Sequence, residues 1–180
     1  MFQYIPNFIN ETEQKEIFDY MENTCNFIPT HQYTNNISRY QKWYQSDKKY
    51  FCPEWKERYP QWESFEIDCM ISKLIDMVQP LTSSRINSCL INKYPTGKHF
   101  ISPHRDSIIS FGEKPDIIIL SLGETRQLLF ENNMEKISFD LEPGSVFIMS
   151  GNSQTDYLHS LVKSNTEMVR YSLTFREFIL

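Results

Sequence analysis

The period of the hydrophobic positions changes once along this chain. Before residue 85, two stretches carry helical spacing. Ile17, Phe18 and Met21 follow Asn10 and Glu13, a capping residue with an acid three positions on, so a capped helix is predicted to begin there. Ile67, Met70, Ile71, Leu74, Ile75 and Val78 recur at intervals of one, three and four, and Pro80 ends the run, which predicts a second helix. Residues 25–60 are rich in aromatic, Pro and polar side chains without a clear period, and read as long loops or irregular short strands. From residue 85 the segments RINSCLINKY, DIIILSL, RQLLFE, KISFDL, SVFIMS and MVRYSLTFREF are short and β-rich, with all five glycines in or beside the gaps. Five or six strands with no helical pattern between them predict an antiparallel sandwich or barrel with the two helices packed outside, a mainly-β α+β fold. No domain boundary is indicated: 1–180 reads as one domain, in which 1–84 form an added layer around a β-core at 85–180.

Composition changes this picture little. The 180 residues suffice to bury a core, and the thirteen Phe, ten Tyr and three Trp are mostly core, with some left to line a pocket. No apolar run reaches membrane-spanning length and the N-terminus lacks the basic start and apolar stretch of a signal peptide, so an intracellular protein, cytoplasmic or nuclear, is expected; a monomer with no membrane partner is expected as well. Cys25, Cys52, Cys69 and Cys89 are far apart with no C-x-x-C, which excludes a zinc knuckle and suits free thiols. The net charge of −5 argues against non-specific nucleic-acid binding. Its distribution qualifies that: Arg39, Lys42, Lys48, Lys49, Lys56 and Arg58 face three acids within 31–58, and Arg85, Lys93, Lys98 and Arg105 face none within 85–105. Scattered solvated charge explains these segments as well as a binding surface does.

The candidate chemistry lies in the β-rich half. His104 and Asp106 form H-x-D, and in an extended segment residues i and i+2 point to one side, so both can bind one ion. His159, after a strand–turn unit and before the last strand, is the best third ligand. Two His and one carboxylate leave three positions open on iron(II), enough for a bidentate co-substrate and dioxygen. Alone, an H-x-D is weak evidence, and a lone His is more often a satisfied structural residue. In the last strand Arg170, Ser172, Thr174 and Arg176 share one face, and Val169, Tyr171, Leu173 and Phe175 the other. An apolar core face with a solvated Arg face is one reading. In the other, the polar face lines a cavity: the two Arg lie roughly 20 Å apart along the strand, and their planar forks lean inward to bracket a small dicarboxylate, helped by the two hydroxyls. Asn92 and Tyr94, also i and i+2, offer an amide and a phenol to the same anion.

Taken in order, N-x-Y-x-x-G (Asn92, Tyr94, Gly97), H-x-D, S-L-G-x-x-R (Ser121 to Arg126), L-x-P-G-S (Leu141 to Ser145), the late His159 and R-x-S-L-T-F-R (Arg170 to Arg176) resemble the AlkB family of 2-oxoglutarate oxygenases over about residues 86–178. Upstream, Ser38-Arg39 and Trp43-Tyr44 resemble the family's nucleotide-covering segment. The resemblance implies a double-stranded β-helix, or jelly-roll, core. It implies iron(II) on His104, Asp106 and His159. It places Arg170 on the distal carboxylate of 2-oxoglutarate and Arg176 near the keto-acid end, with Asn92, Tyr94, Ser172 and Thr174 completing that site. It implies oxidation by dioxygen of an N-methyl group on a nucleobase, releasing formaldehyde, succinate and CO2. A base inside a duplex cannot reach such a centre, so the expected partner is single-stranded or flipped-base nucleic acid. Trp43, Tyr44 and Tyr50 are candidates to stack on the base, with core aromatics as the competing reading, and Arg39 and Arg105 are candidates to hold phosphate. The chain departs from the family directly after H-x-D, where acids that read the damaged base give way to Ser107, Ile108 and Ile109. That departure keeps open a hydroxylase of a protein or small molecule.

Overall fold

The computed structural model describes residues 2–31, 37–50, 52, 56–57, 59–60 and 63–180. Twelve strands are described: β1 (Phe2–Ile5), β2 (Ile28–His31), β3 (Ile37–Gln45), β4 (Ser64–Phe65), β5 (Ser88–Tyr94), β6 (Ile101–His104), β7 (Ile117–Gly123), β8 (Arg126–Glu131), β9 (Lys136–Leu141), β10 (Val146–Met149), β11 (Leu158–Leu161) and β12 (Arg170–Arg176). They form two sheets. The larger runs β1-β10-β7-β12-β5-β3-β2, with β4 added in parallel to β3; the smaller runs β6-β11-β8-β9, and every other pairing is antiparallel.

Two long helices cover the outer face of the larger sheet. Helix α1 (Glu11–Thr24) starts at a reciprocal capping box, in which the Asn10 side chain accepts from the Glu13 N–H at 3.0 Å and the Glu13 carboxylate accepts from the Asn10 N–H at 2.9 Å. Helix α2 (Cys69–Val78) is capped by Asp68 and runs into a 3-10 turn at Gln79–Leu81, where Pro80 stops it. Ile17, Met21, Ile71, Leu74 and Val78 pack on Ile118, Leu120, Leu173 and Phe175 of the sheet. Each such side chain contributes about 1.5–3 kcal/mol by leaving water. The opposite face of the sheet is buried too. Ile117, Ile119, Phe147 and Met149 meet Leu128, Phe130 and Leu141 of the smaller sheet. The larger sheet is thus a middle layer, which explains the apolar run 117–120 that opens β7 and why every residue of β12 is buried. The solvated Arg face is not what the structure shows.

Three expectations change. Residues 1–84 are not only an outer layer: β1 closes one end of the larger sheet against β10, and β3 pairs with β5 over six positions. The segment 25–60, expected to be loop or irregular strand, contains the nine-residue β3. Its buried positions mix polar Ser38, Gln41 and Gln45 with aromatic Trp43 and Tyr44, so apolar/polar alternation could not reveal it. The segments β6 and β11, four residues each, were also absent from the expected strands. Arg58, counted among the basic residues, lies outside the described residues. No described helix is long and apolar enough to cross a membrane, and the four cysteines are free, with Cys69 exposed and the others buried.

Candidate metal and co-substrate site

Strand pairing builds the centre. His159 on β11 lies directly opposite His104 on β6, so the two imidazoles share a face, with ring centroids 4.2 Å apart. Asp106, two residues beyond His104, turns back toward them. Its Oδ1 lies 3.7 Å from His104 Nε2 and 3.9 Å from His159 Nε2, and one ligand atom from each residue falls within 4.8 Å of the others. His104 Nδ1 is 2.9 Å from the Ser102 carbonyl, an arrangement that requires a proton on Nδ1 and leaves the Nε2 lone pair facing the cluster.

Both imidazoles are held neutral. Burial, then His104 and Arg176, push His159 down to about 3 against the pull of Asp106. Burial also lowers His104, more than Asp106 and the Ser102 carbonyl raise it. Burial would raise the Asp106 carboxyl, but the Arg176 guanidinium beside it pulls the other way, and the carboxyl lies below the usual carboxylate range. The His104 Nε2 lone pair therefore faces a carboxylate oxygen with no proton to share, and His159, whose Nδ1 has no hydrogen-bond partner among the described residues, presents its Nε2 to the same oxygen. A divalent cation relieves that crowding, and a donor set of two N and one O suits iron(II).

Asp106 is fixed from two further sides. Arg176 Nε donates to its Oδ2 at 2.7 Å. Its backbone N–H donates to Gln154 Oε1 at 3.0 Å, from the four-residue helix α4 (Ser153–Asp156) immediately before β11. The same helix accepts Arg105 Nη2 at the Thr155 carbonyl, 3.2 Å away. One short element thus braces the Asp106 loop and leads into the strand that carries His159.

The three residues sit in the wall of a cavity of about 510 Å³ between the sheets. Arg170, Ser172, Thr174 and Arg176 of β12 line it, as do Asn92 and Tyr94 of β5, because Arg170 lies opposite Tyr94 and Ser172 opposite Asn92. Arg170 is 1% exposed, donates through Nη2 to Ser121 Oγ at 3.0 Å, and has its guanidinium 5.6 Å from the Tyr94 ring centre. Its Nε is buried with no hydrogen-bond partner among the described residues. Burial draws its pKa down to about 10, with Tyr94 opposing, so it remains a cation at neutral pH. A buried cation with an unmatched donor fits a carboxylate arriving from the cavity. Gly123, opposite Arg170 on β7, has φ +80, and a Cβ there would lie 2.3 Å from the Val169 carbonyl. Only glycine lets the chain entering β12 approach this closely.

The expected substrate residues divide. Arg39 and Arg105 line the cavity, and Arg39 Nε donates to Asn92 Oδ1 at 2.8 Å. Trp43 and Tyr44, expected to stack on a base, are each 2% exposed. Trp43 packs with Cys52, Leu90, Phe111 and Phe178 and donates to the Lys49 carbonyl; Tyr44 points the other way, its hydroxyl 2.9 Å from that of Tyr20. Neither lines the cavity, nor does Tyr50, whose hydroxyl donates to the Tyr59 carbonyl at 2.6 Å. Burial beneath the wall overrides their appearance in a polar segment. The aromatic that does line the wall on this side is Tyr59, which the sequence did not single out. Gln154 was also missed, since its bond to Asp106 joins residues 48 apart in sequence. Arg126, part of one quoted motif, is buried and donates to the carbonyls of His99 and Val162 at 2.9 and 2.6 Å, tying the entry of β6 to the exit of β11.

Comparison with known proteins agrees with this geometry. Residues 1–176 match the model of the 2OG-Fe(II) oxygenase superfamily. The chain is 27% identical to the alpha-ketoglutarate-dependent dioxygenase alkB homolog 3 of Bos taurus, over 95% of this chain and 64% of that protein. It is 25% identical to the DNA oxidative demethylase ALKBH2 of Arabidopsis thaliana, over 64% of this chain and 44% of that protein. The chain therefore spans less than two thirds of the length of either relative. The solved structure of OsALKBH1 superposes with a TM-score of 0.68 at 17% identity, covering 98% of this chain and 97% of that one, and shows the same jelly-roll fold. The ligand atoms of His104, Asp106 and His159 lie within 4.8 Å of one another, and the chain belongs to the 2OG-Fe(II) oxygenase superfamily, as an AlkB-family member.

Proposed function

We propose that this protein is an iron(II)- and 2-oxoglutarate-dependent oxidative demethylase of N-alkylated bases in DNA or RNA. One observation carries the reading: a two-histidine, one-carboxylate cluster shares a buried cavity with Arg170, a cation whose Nε is unmatched. His104, Asp106 and His159 would hold iron(II), and Arg170 the distal carboxylate of 2-oxoglutarate. Asn92, Tyr94, Ser172, Thr174 and Arg176 would complete the co-substrate site.

Bound iron(II) supplies the open positions for 2-oxoglutarate and dioxygen and the oxidising power for a C–H bond. The net reaction inserts one oxygen atom of dioxygen into the N-methyl C–H bond. The other oxygen enters succinate as 2-oxoglutarate loses CO2. The N-hydroxymethyl product then breaks at the N–C bond, its hydroxyl proton returns to nitrogen, and formaldehyde leaves. This chain's side chains orient rather than react. Arg176 and Gln154 fix Asp106, and the Ser102 carbonyl fixes the His104 tautomer. Leu90, Phe111, Ile119 and Leu128 in the wall exclude water. Tyr59 would stack on an extruded base, in place of Trp43 and Tyr44, while Arg39 and Arg105 approach its polar edge or phosphate. The names of the two curated relatives support this reading.

A second reading, a hydroxylase of a protein or small molecule, is favoured by Ile108 and Ile109. These stand 58% and 50% exposed just after the triad, an apolar rim where a nucleic acid would gain from polar groups. Mass spectrometry of methylated single-stranded oligonucleotides, incubated with iron(II), 2-oxoglutarate and ascorbate, separates the two. Loss of the methyl group with wild type but not Asp106→Ala supports the demethylase. Succinate release with every oligonucleotide unchanged supports the hydroxylase.

A further inference from the structure

The charge of the cavity wall bears on which methylated base fits it, an inference that rests on the nucleic-acid reading. Among the described residues the cavity is lined by four arginines, Arg39, Arg105, Arg170 and Arg176, and by one acid, Asp106; Arg105 gives one of its donors to the Thr155 carbonyl. Asp106 is already engaged by Arg176 at 2.7 Å, and it is one of the three residues that would hold iron(II). Iron(II) and the dianion of 2-oxoglutarate carry equal and opposite charges, so loading both leaves the balance positive. Arg39, Arg105, Tyr59, Ser102 and Ser107 line the same cavity. Two of the five N–H donors of Arg39 go to Asn92 Oδ1 and Ser38 Oγ. Directly after the triad the chain offers a hydroxyl and two isoleucines, and no acid.

Methylated bases fall into two charge classes. A methyl group on N1 of adenine or N3 of cytosine leaves the ring a cation with an exocyclic amine beside the methylated nitrogen. A methyl group on N3 of thymine or uracil replaces a proton, so the ring stays neutral and two carbonyl oxygens flank the methyl. A guanidinium only donates, so it pairs with those carbonyls. Facing a cationic base, it meets a like charge and leaves an amine donor without an acceptor.

We propose that this cavity selects electroneutral, carbonyl-flanked N-methyl bases, of which 3-methylthymine and 3-methyluracil are the simplest, over cationic methylated adenine and cytosine. The wall does so through Arg39 and Arg105 and through the lack, among its described residues, of a second carboxylate to answer a cation.

The test uses single-stranded oligonucleotides of one sequence carrying 3-methylthymine, 1-methyladenine or 3-methylcytosine, with kcat/KM read by mass spectrometry. The expected ratio favours 3-methylthymine by roughly tenfold or more, the size of one modest like-charge contact. Ser107→Asp places a carboxylate in the wall. Ser107 caps the short helix α3 (Ile108–Phe111) by accepting from the Ser110 N–H, and Asp caps equally well, so the fold is kept. This variant should narrow the ratio by raising turnover of the cationic bases. Equal or faster turnover of the cationic bases by wild type overturns the inference and leaves the demethylase reading standing. A ratio unmoved by Ser107→Asp overturns its assignment to wall charge. Demethylation of none of the three, with succinate still formed, overturns the reading and the inference together.

Discussion

Arg170 is costly to bury and has no carboxylate among its hydrogen-bond partners, so its position follows from what it is expected to receive. Replacing it by Ala should raise the 2-oxoglutarate dissociation constant by about 1.5–3 kcal/mol, roughly 10- to 150-fold, the worth of a charge-assisted hydrogen bond. Iron affinity should hold, because Arg170 touches none of the three ligands. Titration of 2-oxoglutarate into the iron-loaded variant without oxygen reads both, and an unchanged constant would remove Arg170 from the co-substrate site. The imidazoles give a pH signature. Unfolded histidines titrate near ~6.5, whereas His159 is held down at about 3 and His104 is also lowered. As pH falls below the unfolded value, the unfolded chain takes up protons that the folded chain refuses. The metal-free protein should therefore lose stability from about pH 6.5 downward. Asp106 behaves differently: its lowered pKa contributes stability above the ordinary carboxylate range, lost only as pH falls through its still lower folded value. Denaturant melts of the metal-free protein at pH 7.5 and 5.5 check the sign, and equal midpoints would mean that the folded histidines already carry protons. His104, Asp106 and Arg170 were legible in the sequence because their spacing is local, i and i+2 for the first two and period two along β12, whereas His159 was picked out only by its place before the last strand.

At the level of elements, β3 shows where sequence reading failed. Trp43 and Tyr44 are adjacent, so they point to opposite faces, and both faces of β3 are covered. An aromatic pair in a polar segment looks the same in sequence whether it stacks on a ligand or fills a core. Trp43→Ala should destabilise the fold by about 3–5 kcal/mol, as for a large buried aromatic. Tyr59→Ala, at a side chain only partly buried against the Trp43 cluster, should cost clearly less stability and weaken oligonucleotide binding. Thermal melts beside binding isotherms separate the two, and the opposite pattern would return Trp43 to the substrate site. Helix α4 was invisible for a different reason. Its four residues carry no periodicity, and its role rests on Gln154 reaching Asp106 across 48 residues of sequence. Gln154→Leu should lower metal affinity by about 10- to 100-fold, the usual effect of removing a group that orients a ligand. Competition with a fluorescent chelator measures this, and full affinity would show that Arg176 alone suffices to hold Asp106.

Across the whole molecule, helices, sandwich and cavity form one arrangement. Helices cover one face of the larger sheet, the smaller sheet covers the other, and the polar side chains of β12 and β5 are sealed between the sheets. The two helices and most core strands were legible from periodicity and caps. The integration of β1 and β3 into the larger sheet was not, because sheet neighbours are set by pairing between distant segments. The net charge of −5 does not describe the site either, since the cavity wall concentrates guanidinium groups within an acidic chain. The central claim is that this cavity holds iron(II) and 2-oxoglutarate together, and oxygen-free titration tests it most directly. Wild type should bind one iron(II) per chain and then 2-oxoglutarate tightly only when iron is present, while Asp106→Ala should lose both. Iron bound undiminished by Asp106→Ala, or 2-oxoglutarate bound equally well without metal, would contradict the account.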